Sequence, residues 1–251
     1  MMKKWLLVFL FICTTLLSGC GGLNFGEKKD ASSGFIPAPT GPATPQTEKI
    51  IHQTHWILSN IRDTDYISRP SIDEAAGKYH LTCGPFLSLV LKKSLPEHFE
   101  RLTALNNNRR PGSSSYYRIF SKMPTEKPGQ DGWLQILSPA HARPGDIIAW
   151  RSIDPETGRR STHVLIVNGM PEKTIDGEYK INVADSTYRG HRMDPTETRQ
   201  VGIGTGYMWF TTDANGKING YRWSGEFYKL FKPSFESDKS SITIARAVAL
   251  R

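Results

Sequence analysis

Residues 79–91 read Tyr-His-Leu-Thr-Cys-Gly-Pro-Phe-Leu-Ser-Leu-Val-Leu, and the nearly unbroken apolar run Phe86, Leu87, Leu89, Val90, Leu91 ends at Pro96. That is long enough for a buried helix of about three turns. A helix this apolar must be covered by other layers, which excludes an isolated or peripheral element. Pro85 fixes where the helix starts. Proline fits the first helical turn, where its missing N–H had no intrahelical acceptor, so Thr82 or Cys83 takes the N-cap or N1 position. The thiol of Cys83 then lies at the positive end of a helix dipole, where free N–H groups favour an anion. The other two cysteines, Cys13 and Cys20, fall in an N-terminal leader, which leaves Cys83 without a disulfide partner in the body. A lone cysteine in an exported protein is a small buried hydrophobe or a reactive thiol.

The leader carries that inference. Met-Met-Lys-Lys is followed by an apolar stretch over 5–17 and then Leu17-Ser18-Gly19-Cys20. A basic start, a short apolar core and small residues before a cleavage point make a secretory signal too short to span a membrane. The last four residues resemble the lipobox of bacterial lipoproteins. The resemblance implies that residues 1–19 are removed and that Cys20 is lipidated, giving a membrane anchor of several acyl chains. Residues 20–47, with Pro37, Pro39, Pro42 and Pro45, read as a flexible tether. Because Gly21 rather than Asp follows Cys20, lipoprotein sorting implies the outer membrane, facing the periplasm, in an organism with two membranes.

Residues 48–251 are expected to form a single domain. Hydrophobic residues at 38%, with 6 Trp, 9 Tyr and 11 Phe, supply its core. The formal net charge of +8 suits an anionic polymer or a membrane surface. Nucleic acid is not an expected partner, since no basic run exceeds two residues and no nucleic-acid motif is present. The apolar residues over 48–61 give a helical pattern that carries His52 and His55. A metal site there is not expected, because Glu48 is the only nearby carboxylate and no cysteine completes a zinc tetrahedron. Residues 97–142 read as an insertion of loops with a short helix near 116–123, in which Tyr116, Tyr117 and Trp133 either decorate the surface or wall a groove. From Pro144-Gly145-Asp146 onward the pattern is that of strands: 147–150, 163–167, 179–185, 207–210 and 217–223. The expected fold class is α+β, with N-terminal helices packed on an antiparallel sheet of about five or six strands. Gly202, Gly204 and Gly206 are not a dinucleotide fingerprint, because a strand follows them.

A free thiol of pKa near 8.5 is only about 3% ionised at pH 7, and lowering it by two units takes about 2.7 kcal/mol. A helix terminus commonly supplies only ~0.3–1 kcal/mol of that, so Cys83 needs an imidazolium. His163, which opens a strand behind Ser161-Thr162, is the leading candidate, with His191 next; His80, His98 and His141 lack a second signal. A third group must orient the imidazole. Asp185, at the end of the following strand, is placed to do so, and His191 is the alternative third residue.

Cys83 at a helix start, Arg143-Pro144-Gly145-Asp146-Ile147-Ile148-Ala149-Trp150, Thr162-His163-Val164-Leu165-Ile166-Val167 and a polar residue on the next strand together resemble the NlpC-type cell-wall cysteine peptidases and the related CHAP amidases. The resemblance spans about 79–185. It implies a papain-like fold and a Cys83–His163–Asp185 catalytic set that cleaves peptide or amide bonds in peptidoglycan; Tyr79, four residues before the nucleophile, either lines the oxyanion side of the substrate site or packs in the core. It implies no cofactor or metal and a monomer. This chain has Thr82-Cys83-Gly84-Pro85 where the family commonly has Asp-Cys-Ser-Gly, and its 80-residue interval from Cys83 to His163 accommodates the insertion. The alternatives are a non-catalytic envelope-binding lipoprotein on the same fold, with Cys83 a core residue, and a Cys-His acyltransferase or deamidase.

Overall fold

The computed structural model describes residues 40–153, 158, 160–188, 191, 201–223 and 240–251. The leader, Cys20 and most of the tether therefore lie outside the described residues. The tether is shorter than the composition suggests. Helix α1 (Pro45–Asn60) begins inside it: Pro45 occupies the first turn, and Thr44 and Thr47 cap each other's backbone.

After α1 come three short strands, β1 (Asp63–Asp65), β2 (Ser71–Asp73) and β3 (Lys78–His80), forming a small sheet in which β1 runs parallel to β3. Helix α2 (Cys83–Ser94) follows, with Thr82 as its N-cap, and carries the apolar run. The segment read as a loose insertion is ordered. It holds α3 (Pro96–Asn106), α4 (Ser113–Phe120) and β4 (Trp133–Ile136), with Phe99, Leu102, Tyr116, Phe120 and Trp133 all in the core. Tyr116 and Trp133 thus wall no groove; Phe120 lies between them, its ring centroid 5.8 Å from Tyr116 and 4.9 Å from Trp133.

The main sheet has eight strands rather than five or six. β5 (Ile147–Ile153), β6 (Arg160–Val167), β7 (Glu172–Lys173), β8 (Tyr179–Thr187), β9 (Gly202–Thr212), β10 (Ile218–Trp223) and β11 (Ser240–Ala247) join β4 in the order β10-β9-β8-β6-β5-β11-β4, with β7 hydrogen-bonded to β8. Every pairing in it is antiparallel. The fold is mixed α+β. Alternation along the strands splits the core in two, as a pleat requires. Ile147, Ala149, Val164 and Ile166 pack with the helices, whereas Ile148, Leu165, Val167, Ile181, Val183, Met208 and Phe210 form a second cluster.

The Pro-Gly-Asp turn that starts β5 locks three distant parts together. Gly145 sits at φ +88°, and a Cβ there would collide with the Thr47 backbone of α1. Buried Asp146 accepts from the Arg143 N–H (2.8 Å) and from Arg246 Nε (2.9 Å) and Nη2 (2.8 Å), which fastens β11 alongside β5.

Candidate active site

Cys83 is the first residue of α2, and its position follows from how β6 and β8 part. These strands pair only at Ile166–Ala184 and Val167–Val183, although both continue beyond that point. The Val167 N–H bonds Asp146 on the β5 side, so by strand alternation the Val164 N–H points toward β8. With β8 gone from its side, that N–H is left toward Cys83, where it favours the thiolate. Ser186 Oγ on β8 meanwhile donates to Leu81 O at 2.5 Å, so the start of α2 bridges the two separated strands. The tether between helices and sheet is completed by Ser113 Oγ of α4, 2.8 Å from Thr162 Oγ1, next to His163.

The parting strands gather four buried groups. His163 Nε2 lies 2.5 Å from Asp185 Oδ2, and His191 Nε2 lies 2.8 Å from Asp185 Oδ1. The Cys83 thiol hydrogen-bonds the His163 ring. Since Nε2 of that ring serves Asp185, Nδ1 is the nitrogen left for sulfur. Cys83 is 3% exposed, His163 5%, His191 3% and Asp185 0%. The structure thus brings Cys83, His163 and Asp185 into one line. His191 does not take the place of Asp185 beside His163 but shares its carboxylate.

Electrostatics follow from this packing. Burial opposes ionisation of Cys83 most strongly, but the adjacent His163 charge, its hydrogen bond and the Val164 N–H together hold the thiol below its ordinary value. Burial works against protonated His163 as well. The Cys83 thiolate and Asp185 outweigh it, so the imidazole lies well above its usual range. Asp185 is penalised by burial and rescued by His191 and His163, which keep the carboxyl below its ordinary value. These directions favour a thiolate–imidazolium pair backed by a carboxylate over the neutral pair.

One participant carried no signal in the sequence. The hydroxyl of Tyr66, just beyond β1, lies near the Cys83 thiol, and burial together with the thiolate charge raises its pKa. Its ring packs on Tyr188, centroids 5.7 Å apart. Of the two readings of Tyr79 the structure takes the core one: it is fully buried on the helix side, and its hydroxyl has no hydrogen-bond partner among the described residues. The departure at Gly84 has a steric reason: a Cβ there would lie 2.9 Å from Ser113 N and 3.0 Å from Gly112 Cα. A serine at this position would push α4 off α2. The remaining histidines serve elsewhere. His80 Nε2 pairs with Asp63 Oδ1 at 2.9 Å, His98 Nε2 bonds Val248 O at 2.8 Å, and His55 Nε2 bonds Asn168 Oδ1 at 2.8 Å while His52 stands exposed on α1. No cluster of three or more His, Cys, Asp or Glu arranged to hold a metal occurs among the described residues.

The glycines of β9 acquire a purpose from register. Asp185 pairs with Gly204 and Val183 with Gly206, and a Cβ at Gly204 would lie 2.6 Å from His191 Nδ1. Gly204 is therefore the space His191 occupies. Gly204→Ala should cost about 1–3 kcal/mol of stability by overpacking. Gly206→Ala, whose Cβ would be 3.6 Å from His191 Cδ2, should cost less. Urea melts of the two variants measure the difference, and equal midpoints would remove His191 from its seat.

No family model matches the chain. No solved structure matches it either. Over 161 residues it is 27% identical to R653, an uncharacterized protein of Acanthamoeba polyphaga mimivirus, a match that takes in 57% of this chain and 67% of that protein.

Proposed function

We propose that this chain is a cysteine hydrolase of papain-like architecture that cleaves peptide or amide bonds, with the NlpC-type and CHAP enzymes as its nearest kind and peptidoglycan as its substrate. The observation that carries the reading is the buried Cys83–His163–Asp185 line, in which a thiol at a helix start meets an imidazole held by a carboxylate.

In this reading the Cys83 thiolate attacks the scissile carbonyl carbon. The developing oxyanion is met by N–H groups of the first turn of α2, which have no intrahelical acceptor, and by the nearby Tyr66 hydroxyl. His163 gives its proton to the leaving amine, and the acyl group remains as a thioester on Cys83. Neutral His163 then takes a proton from water, whose oxygen attacks the thioester; the acid departs and the thiolate–imidazolium pair is restored. Asp185 holds the ring in orientation through both half-reactions. Lipidation at Cys20 would keep the enzyme at the cell envelope, outer membrane in a two-membrane cell, working as a monomer on the wall.

Digestion of purified peptidoglycan by wild type and Cys83→Ala, with mass spectrometry of the released fragments, tests this. New amine and carboxyl ends are expected from wild type alone. A wild type that binds the wall yet releases nothing would instead establish the second reading, an envelope-binding lipoprotein. That reading is favoured by one observation, the 3% exposure of Cys83.

A further inference from the structure

Resting on the hydrolase reading, the substrate class can be narrowed by a groove of about 570 Å³ that begins at Thr82, the residue before the nucleophile. Its inner wall is the Thr82, Pro85, Ser88, Leu89 and Lys92 face of α2, a spacing of three and four that follows one side of the helix. Ten helical residues separate Thr82 from Lys92, a run of about 15 Å, which an extended peptide covers in about four or five residues. The opposite wall is the loop that bears Arg109 and Arg110. Its Gly112 approaches Gly84 beside the nucleophile, while Arg109 also borders the adjoining cavity with Lys92, Phe99 and the acidic Glu100, which among the described residues forms no ion pair with either cation. The loop therefore spans from the thiol end of the groove to the Lys92 end.

The charge is one-sided. Arg109, Arg110 and Lys92 line the groove, and no acidic residue does. Neither guanidinium forms an ion pair among the described residues, and Lys92 Nζ stands 5.2 Å from the centroid of the Phe99 ring. Three cations that line one concavity with no carboxylate partner mark where a ligand's negative charge belongs. The floor between them mixes prolines with the hydroxyls of Ser68, Thr82 and Ser88, and Ser88 Oγ is fixed at 2.8 Å from the Tyr116 hydroxyl. The lining is mostly apolar, with Pro70, Ile72, Pro85, Leu89 and Pro111, interrupted by those hydroxyls and bordered by the cations; an extended peptide, with polar backbone and spaced side chains, matches it.

We infer that the groove along α2 is a subsite for an extended peptide bearing a carboxylate within about five residues of the scissile bond, held by Arg109, Arg110 and Lys92.

The full chain carrying Cys83→Ala reads binding without turnover. The probes are fluorescent alanine-based hexapeptides in which a single Glu is walked through the sequence, each paired with its Gln isostere, in anisotropy titrations. One register of Glu should bind about tenfold more tightly than Gln, less so at high salt. Arg109→Ala/Arg110→Ala should erase the difference, and Lys173→Ala, which removes an exposed cation of β7, should keep it. The inference is overturned by equal Glu and Gln affinities at every register, or by a difference that survives the double substitution. Capture by phosphatidylglycerol vesicles that is lost in the same double variant would overturn it too, as a lipid site. A Glu preference in binding alongside wild-type protein that cleaves none of the peptides would support the groove and count against the hydrolase reading alone.

Discussion

In His163→Ala, Cys83 should lose its thiolate at neutral pH and turnover should fall by about 10³-fold or more. The expectation follows from opposing influences already present at the sulfur. Burial pushes the thiol up, and the adjacent His163 together with the Val164 N–H brings it down below its ordinary value. Remove the imidazole and its charge no longer offsets burial, so the thiol should rise toward its ordinary value of about 8.5 or above, where about 3% or less is ionised at pH 7. The pH signs are distinct. In the wild type the thiolate exists above its lowered pKa and the imidazolium below its raised one, so the reactive pair fills the window between them. Iodoacetamide should then label the wild type from a lower pH than the variant, because its thiol is held below the ordinary value. In the variant, labelling should begin only as pH climbs past about 8.5. Identical profiles for the two proteins would mean that His163 does not ionise Cys83.

How much of this was legible in the sequence depends on the range of the signal. Pro85 and the apolar run over 86–91 are local, and they put Cys83 at the helix start, where the structure has it. His163 and Asp185 were readable because each is a polar residue on an alternating strand, though both strands run on past them, β6 from Arg160 and β8 to Thr187. Tyr66 was not readable, because it reaches the sulfur from a three-residue strand whose parallel partner, β3, lies about fifteen residues away. The 97–142 segment misled through its loop-forming Asn106-Asn107-Asn108 and Arg110-Pro111-Gly112. These do form the connection, but Phe99, Leu102, Tyr116, Ile119 and Phe120 on either side recur at helical spacing and fill the core. β11 escaped notice although it sits in the interior of the sheet. Its register against β5 and β4 is set by buried Asp146 and Arg246, 100 residues apart, which no local pattern encodes. The same holds for the glycines of β9, which reveal a seat for His191 only once Asp185 is known to pair with Gly204.

Asp185→Asn should reduce turnover by about 10²–10⁴-fold while leaving the shape of the site nearly unchanged. Both carboxylate oxygens are engaged, Oδ2 with His163 Nε2 and Oδ1 with His191 Nε2, so each accepts an N–H. An amide offers one acceptor and one donor group. Its NH₂ must face one of the two imidazoles, and that ring has to present a bare Nε2 and move its proton to Nδ1. If the ring is His163, the nitrogen that serves sulfur is already protonated without the charge that ionises it, and no base remains to take the proton from water. If it is His191, the loss is smaller and falls on orientation. Proton–nitrogen correlation spectra of the imidazoles tell the two apart by which Nε2 loses its proton. Stability carries an independent signature. The Asp185 carboxyl is depressed in the folded chain, so it contributes stability that is full above its unfolded pKa of about 3.9 and lost as pH falls through the folded value. Asparagine has no proton to bind, so the variant's melting temperature should fall less steeply than the wild type's below about pH 4. Parallel acid limbs in the two proteins would show that Asp185 is not the buried, ionised partner of His163 and His191.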